Sequence, residues 1–222
     1  MNIHTSQKNT SPSKKIETEA GLILGIRPIK ETSDELIELL DNKENYYPFI
    51  EKVSESRKRE WLTVRVLLKE LIGEKDILYT PTGKPYLADN SFHIGISHTK
   101  GYVAVILDKQ FPIAVDIEAI SNKVEKVQNR FLSEGEKVNI DKENRLIHIL
   151  LHWSAKESMF KILDQQNVEF CSQLHIDPFT PVIDNWASFS AFETRTDERN
   201  KYIIHYFASQ DYVLTYLHDK KI

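Results

Sequence analysis

The chain has 222 residues, of which 41% are hydrophobic and 28% are charged, so it can form one sizeable soluble domain or two small ones. A net charge of −4 argues against a nucleic-acid partner, because generic nucleic-acid binding usually shows a basic excess. The single cysteine, Cys171, excludes an intramolecular disulfide and favours a cytoplasmic location, and no apolar run is long enough to predict a membrane span.

The first segment of the chain predicts a lead-in, a strand and a helix. Residues 1–18 are polar and rich in Ser, Thr and Lys, without the apolar core of a secretory signal, so we expect a disordered lead-in. The apolar stretch Gly21–Ile29 predicts the first strand. In TSDELIELLDN, Thr32 or Ser33 as N-cap and Glu35 in the first turn predict a helix start.

The remainder of the first half predicts one long helix and then strands. In SESRKREWLTVRVLLKELIG, apolar residues recur at helical spacing and Gly73 is the expected C-cap. The segments DILYTPTGKPYL, FHIGISHTKGYVAVILD and FPIAVDIEAI read as strands joined by short turns, one of them at Lys100-Gly101.

The second half predicts helices first and strands last. VEKVQNRFLSEGEKVNI has the pattern of a helix, a turn and a helix, and a long helix is expected over residues 144–163. Pro178 and Pro181 predict a loop over residues 172–181. ASFSAFETR, KYIIHYFASQ and DYVLTYLHD then predict three antiparallel strands.

A weak internal echo connects the two halves. WLTVRVLLKEL in the first half is similar to WSAKESMFKIL in the second, and SHTKGYVAVIL is similar to FASQDYVLTYL. Two duplicated α+β units would explain the echo, and chance would explain it equally well. The subdomains we predict are residues 19–111 and 112–222.

Three carboxylates are placed where a cation would be useful. Asp116 and Glu118 are two residues apart in a predicted strand, so their side chains point to the same face. Glu157 falls within the apolar stripe of the long second-half helix, where a carboxylate is costly unless it is paired or metal-bound. Three oxygen donors without His or Cys suit a hard cation such as Mg²⁺.

A simpler interpretation of the same residues stays open. A D-x-E pair at a strand end is common on solvent-facing edges. Glu157 and Lys161 can also form an i,i+4 ion pair at a helix border, which is worth only about 0.3–0.5 kcal/mol.

Five segments in order carry a resemblance to a known family: GKPYL, ISHTKGYVAV, AVDIE, RFLSEGEK and WSAKESMFK. Together they resemble the 4′-phosphopantetheinyl transferase superfamily, specifically its larger pseudo-dimeric, surfactin-synthetase-activating class, over residues 55–165. The resemblance implies an α+β fold of two similar subdomains related by pseudo-twofold symmetry. It also implies an enzyme that moves the phosphopantetheine arm of coenzyme A onto a serine of an apo acyl or peptidyl carrier protein and releases adenosine 3′,5′-bisphosphate.

The resemblance also implies roles for the acidic residues. Asp116, Glu118 and Glu157 are expected to hold Mg²⁺, or Mn²⁺ in its place, against the coenzyme A pyrophosphate, and Asp116 and Glu157 count as catalytic for that reason. Lys161 is expected to contact the pyrophosphate and assist the leaving group. Whether Glu157 also accepts the serine proton stays open. For Lys156, in the same segment, the alternative to a role in the site is to support the helix.

Coenzyme A itself is expected to contact a second set of residues by the same resemblance. Either Arg57 or Arg59 is expected to contact a phosphate group of coenzyme A, and we predict Arg59. The turn Thr99-Lys100-Gly101 departs from the family pattern, in which Gly often comes sooner after S-H. The predicted contacts are Arg59, Gly83, Lys84, Pro85, Ser97, His98, Thr99 and Lys161, with His98 on the 3′-phosphate.

Two rival functions remain at this level. One is a catalytically silent module of the same fold that binds coenzyme A or a carrier protein. The other is an unrelated metal-dependent phosphohydrolase that uses the same three carboxylates.

Overall fold

The computed structural model describes residues 13–17 and 21–219, and the chain divides into two compact units, Met1–Gln110 and Phe111–Ile222. Both units combine antiparallel sheet with helix, which confirms the predicted α+β class. Across the described ranges, no helix has both the length and the apolar character needed to cross a membrane.

The first unit is built on a four-stranded antiparallel sheet with the strand order β1-β2-β6-β5, and β3 and β4 form a separate two-stranded hairpin. Its elements are β1 (Lys14–Glu17), β2 (Ile23–Pro28), α1 (Ser33–Glu38), α2 (Tyr47–Ile50), α3 (Glu55–Ile72), β3 (Ile77–Tyr79), β4 (Pro85–Leu87), β5 (His93–Thr99) and β6 (Tyr102–Asp108).

Helix α3 is the predicted long helix, and it packs on β2 and β6. Its N-cap, Ser54, accepts a hydrogen bond from the Arg57 backbone N–H, and it ends at Gly73, whose φ of 87° favours glycine. The packing against β2 is close, because a Cβ at Gly25 would lie 2.8 Å from a methyl group of Leu67 and from one of Leu71. Glycine at this position therefore lets the helix approach the strand.

The lead-in prediction is wrong for its last residues. Lys14–Glu17 form β1, which pairs antiparallel with β2, and residues 1–12 and 18 of the predicted lead-in lie outside the described residues. Ile16 is buried, and the Arg27 guanidinium donates to Ser13 Oγ at 3.1 Å. A single apolar residue and a backbone ladder fix this strand, so a polar average composition conceals it.

The second unit is a five-stranded antiparallel sheet with the strand order β7-β11-β10-β9-β8, and α6 packs mainly on β11 and β7. Its elements are β7 (Ile113–Ala119), α4 (Lys123–Val127), α5 (Glu134–Val138), α6 (Arg145–Leu163), α7 (Phe170–Gln173), β8 (Leu174–Ile176), β9 (Trp186–Glu193), β10 (Lys201–Ala208) and β11 (Tyr212–His218).

The three C-terminal strands appear as predicted. The expected loop over residues 172–181, however, is helix or strand in its first half. The end of α7 and all of β8 occupy residues 172–176, and β8 pairs antiparallel with β9. Leu174 and Ile176 are both buried. Three residues are too few for alternation to be visible in a sequence, and the pairing partner decides the structure.

Candidate active site

Strand β7 and helix α6 bring together the acidic residues singled out from the sequence. Asp116 and Glu118 both direct their side chains to α6, Asp116 toward Lys161 and Glu118 toward Trp153. Asp116 is buried, at 4% exposure. The i,i+2 spacing of the two residues therefore has the predicted consequence that both face the same helix.

The cation beside Asp116 is Lys161, the residue that the sequence also paired with Glu157. Lys161 Nζ donates to Asp116 Oδ1 at 2.8 Å and to the Val115 carbonyl at 3.0 Å. This ion pair crosses from helix to strand, whereas an i,i+4 pair would stay on one helix. Lys161 therefore ties the C-terminal turns of α6 to the middle of β7.

The third carboxyl group, Glu157, has an altered acidity. Its pKa is raised to about 7, mainly by burial and then by the charge of Asp116, while the charge of Lys161 opposes the shift and that of Glu118 adds to it. The carboxylates of Asp116 and Glu118 are therefore close enough to act on that of Glu157. A carboxyl group with a pKa near 7 is matched to proton transfer at neutral pH.

Glu118 is held by the indole of Trp153, the first residue of the segment WSAKESMFK. Trp153 Nε1 donates to Glu118 Oε1 at 2.7 Å, while the indole ring packs on the core of the unit. The polar role was missed. The signal for it was available, because a buried Trp N–H usually finds a hydrogen-bond partner.

Lys156, which precedes Glu157, supports the helix. Its ammonium group is fully buried and donates to the Phe131 carbonyl at 2.6 Å, to Glu136 Oε2 at 2.8 Å and to the Phe170 carbonyl at 3.1 Å. Burial lowers its pKa, and the adjacent Glu136 carboxylate opposes that shift. None of these three acceptors belongs to the group formed by Asp116, Glu118 and Glu157. Lys156 therefore holds α6 through a separate set of contacts.

A buried hydroxyl cluster fixes the other contact of α6. Thr215 on β11 stands opposite Asp116 in the sheet register, and its Oγ1 lies 2.9 Å from both Ser154 Oγ and Ser158 Oγ. All three side chains are fully buried. Because hydrogen bonds are directional, this cluster sets the rotation of α6 about its axis.

Among the predicted coenzyme A residues of the first unit, His98 lies beside Arg57, the alternative to Arg59. Arg57 Nη1 lies 3.2 Å from His98 Nε2, and Glu60 Oε2 lies 3.3 Å from the Arg57 Nη1 and 3.8 Å from His98 Nδ1. Arg57 and His98 are both partly exposed. A guanidinium beside an imidazole suits a phosphate group.

A cavity of about 460 Å³ lies beside this pair. The Arg59 guanidinium belongs to its wall, since its Nε donates to the Glu31 carbonyl at 2.7 Å and its Nη2 to the Ile29 carbonyl at 3.2 Å. The lining residues are Ile29, Ser56, Arg59, Glu60, His98, Thr99, Lys100 and Gly101.

The remaining predicted contacts occupy two other positions in the first unit. Gly83, Lys84 and Pro85 lie at the β3–β4 hairpin, where the Gly83 φ of 88° requires glycine and the Lys84 backbone N–H donates to Thr80 Oγ1 at 3.0 Å. They are not among the residues that line the cavity. Ser97 is buried on β5, directly before the exposed His98.

Comparison with known families gives a match in the second half of the chain. Residues 112–217 match the sequence model of the 4′-phosphopantetheinyl transferase superfamily. The chain carries a 4′-phosphopantetheinyl transferase superfamily domain. No curated protein matches the chain. The matched range runs through β7, α6 and most of β11, so it contains Asp116, Glu118, Glu157 and Lys161. Membership of the larger pseudo-dimeric class stays a prediction.

Transferases of this superfamily use coenzyme A as co-substrate and typically a divalent metal. Within residues 13–17 and 21–219, no three His, Cys, Asp or Glu side chains form a ready-made metal cluster. Mg²⁺ keeps several waters and is usually bound by one or two carboxylates plus substrate phosphates, so a complete protein cage is not required. The three acidic residues of this domain fit such an ion, because a cation relieves the repulsion that Asp116 and Glu118 exert on Glu157.

Proposed function

We propose that the protein transfers the 4′-phosphopantetheine arm of coenzyme A to a serine of an apo acyl or peptidyl carrier protein, with Mg²⁺ or Mn²⁺, and releases adenosine 3′,5′-bisphosphate. The observation that carries the proposal is that the superfamily match includes Asp116, Glu118, Glu157 and Lys161, which meet where α6 packs on β7. This combination of carboxylates and a lysine suits phosphoryl transfer, because a metal ion and an ammonium group stabilise the negative charge that accumulates on the phosphoryl oxygens.

The roles of these residues follow from their positions. Asp116, Glu118 and Glu157 would hold the divalent ion, which supplies charge stabilisation at the pyrophosphate. Lys161 donates a hydrogen bond to Asp116, one of these three acids. If a phosphate oxygen replaced Asp116 as its acceptor, the Lys161 ammonium would stabilise the pyrophosphate and the leaving group. As a second role, Glu157 would accept the serine proton, directly or through a metal-bound water.

The nucleotide end of coenzyme A is assigned to the first unit. The contact between Arg57 and His98 favours a 3′-phosphate beside these two side chains. Arg59 donates hydrogen bonds to two backbone carbonyls and would shape the cavity wall. Contacts of coenzyme A with Arg59 and with Thr99 are also part of the proposal. Gly83, Lys84, Pro85 and Ser97 are proposed contacts that rest on the family resemblance.

The decisive test is intact-mass spectrometry of apo carrier proteins. Each carrier is mixed with the protein, coenzyme A and Mg²⁺, and we expect a mass gain equal to one phosphopantetheine arm. The matched controls omit coenzyme A or use the Asp116→Asn variant. A panel of fatty-acid, polyketide and peptide-synthetase carriers then identifies the preferred partner.

The rival functions give different results in the same assay. Coenzyme A binding without a mass gain on any carrier would indicate a silent binding module. Release of phosphate from coenzyme A in the absence of a carrier would indicate a metal-dependent phosphohydrolase. Either result would overturn the proposed transferase activity.

A further inference from the structure

Trp153 makes a polar contact that packing alone does not require. It lies on α6 one turn before Glu157, and its indole N–H donates to Glu118 Oε1 at 2.7 Å. This distance is at the short end for N–H···O bonds, as is usual when the acceptor is ionised. The bond connects the packed side of α6 to one of the three carboxylates.

The orientation of the indole is determined by its aromatic neighbours. Phe131 meets the Trp153 ring edge-on, with centroids 5.1 Å apart and an interplanar angle of 61°, and Phe170 lies at 5.7 Å and 33°. Two rings at different angles restrict the rotation of the indole. Its N–H direction is therefore determined before any ligand binds.

The two phenylalanines are themselves anchored by the buried ammonium of Lys156. Lys156 Nζ binds the backbone carbonyls of both Phe131 and Phe170, and its charge is paired with Glu136. Burying a charged pair is costly and gives little net stability compared with apolar packing. The arrangement does, however, fix the backbone at both phenylalanines and, through them, the tryptophan.

We propose that Trp153 is a positioning residue whose indole N–H fixes the Glu118 carboxylate for the divalent cation. The bond is made to Oε1, and because each carboxylate oxygen can accept more than one contact, this bond is compatible with a cation at the same carboxylate. Partners of metal-binding carboxylates orient these ligands in general, and their loss weakens metal binding. The inference rests on the proposed function, because the cation belongs to that function.

The test measures Mn²⁺ binding by electron paramagnetic resonance with coenzyme A present and no carrier protein. Trp153→Phe keeps an aromatic ring and removes the N–H, and we expect Mn²⁺ affinity to fall about 10-fold or more. Trp186→Phe, on β9, is the matched control and should bind as the wild type does. Glu118→Gln should weaken binding, and adding Trp153→Phe to it should cause little further loss.

The outcomes separate this inference from the proposed function. If the wild type binds no Mn²⁺, the role of Trp153 is overturned, and the intact-mass assay with Mg²⁺ decides the proposed function separately. If the wild type binds and Trp153→Phe binds equally well, only the role of Trp153 is overturned. Full additivity of Trp153→Phe and Glu118→Gln would also overturn it, because the indole would then act independently of Glu118.

A second readout keeps the inference testable if Trp153→Phe does not fold. Trp61→Phe combined with Trp186→Phe leaves Trp153 as the single tryptophan. We expect Mn²⁺ to change the emission of Trp153 with the same midpoint as the resonance titration. Emission that stays constant while Mn²⁺ binds would overturn the proposed contact.

Discussion

Replacing Lys156 with methionine tests the buried ion pair that supports α6. The substitution removes an ammonium group with three acceptors and leaves Glu136 buried at 6% exposure without its cation. Breaking a buried pair from one side costs about 3–5 kcal/mol. Glu136 keeps the backbone N–H groups of Ser133 and Ile176 as donors, so we expect a loss at the lower end, about 3 kcal/mol.

The assay is urea unfolding followed by both circular dichroism and tryptophan fluorescence. With a urea dependence of about 2 kcal/mol per M, a loss of 3 kcal/mol lowers the midpoint by about 1.5 M. Lys142→Met, at an exposed position just before α6, is the control and should stay within about 0.5 kcal/mol of the wild type.

The double variant Lys156→Met with Glu136→Gln distinguishes the pair from a general packing effect. Removing both charges should recover part of the loss, because no uncompensated charge remains buried. If Lys156→Met unfolds at the wild-type midpoint, the ammonium group is solvated and the three contacts do not support α6.

Three further predictions concern the active site, the nucleotide and pH. Asp116→Asn and Glu157→Gln should each abolish carrier modification in the intact-mass assay with unchanged circular dichroism, and activity retained in either variant would contradict the acidic site. His98→Ala should weaken binding of coenzyme A more than that of dephospho-coenzyme A in calorimetry, and equal losses would remove its 3′-phosphate role. Burial lowers the pKa of both His148 and His152 to about 4, so between pH 6.5 and 4 the unfolded chain binds more protons than the folded one. The free energy of unfolding should therefore fall as the pH drops through this range, by at most about 3 kcal/mol per histidine, and urea midpoints that do not change from pH 7 to pH 4.5 would contradict the burial.

The parts of the site that follow local rules could be predicted from the sequence. The i,i+2 spacing of Asp116 and Glu118 placed both side chains on one face of a strand, and the apolar stripe of α6 placed Glu157 on its packed side. The caps of α3 at Ser54 and Gly73 likewise use local chemistry.

The parts that depend on tertiary contacts could not be predicted. Helical spacing left open a pair of Lys161 with Glu157, and the charge of Lys161 does act on Glu157, but its hydrogen bond to Asp116 of β7 depends on how the helix packs. A lysine is usually exposed, but Lys156 is buried because Glu136 and two backbone carbonyls accept hydrogen bonds from its ammonium group. The strand at Lys14–Glu17 exists only because an edge of β2 is available for pairing.

The hydroxyl cluster of Ser154, Ser158 and Thr215 limits how this domain can be redesigned. Successive residues of a helix are about 100° apart around its axis, so a slip by one residue would turn Glu157 away from β7. Packing between aliphatic side chains tolerates small rotations of a helix, because apolar contacts have no preferred direction. The two hydrogen bonds between these hydroxyl groups are directional and do not tolerate such rotations. Engineering of substrate preference should therefore leave these three small polar residues untouched and alter side chains elsewhere on α6.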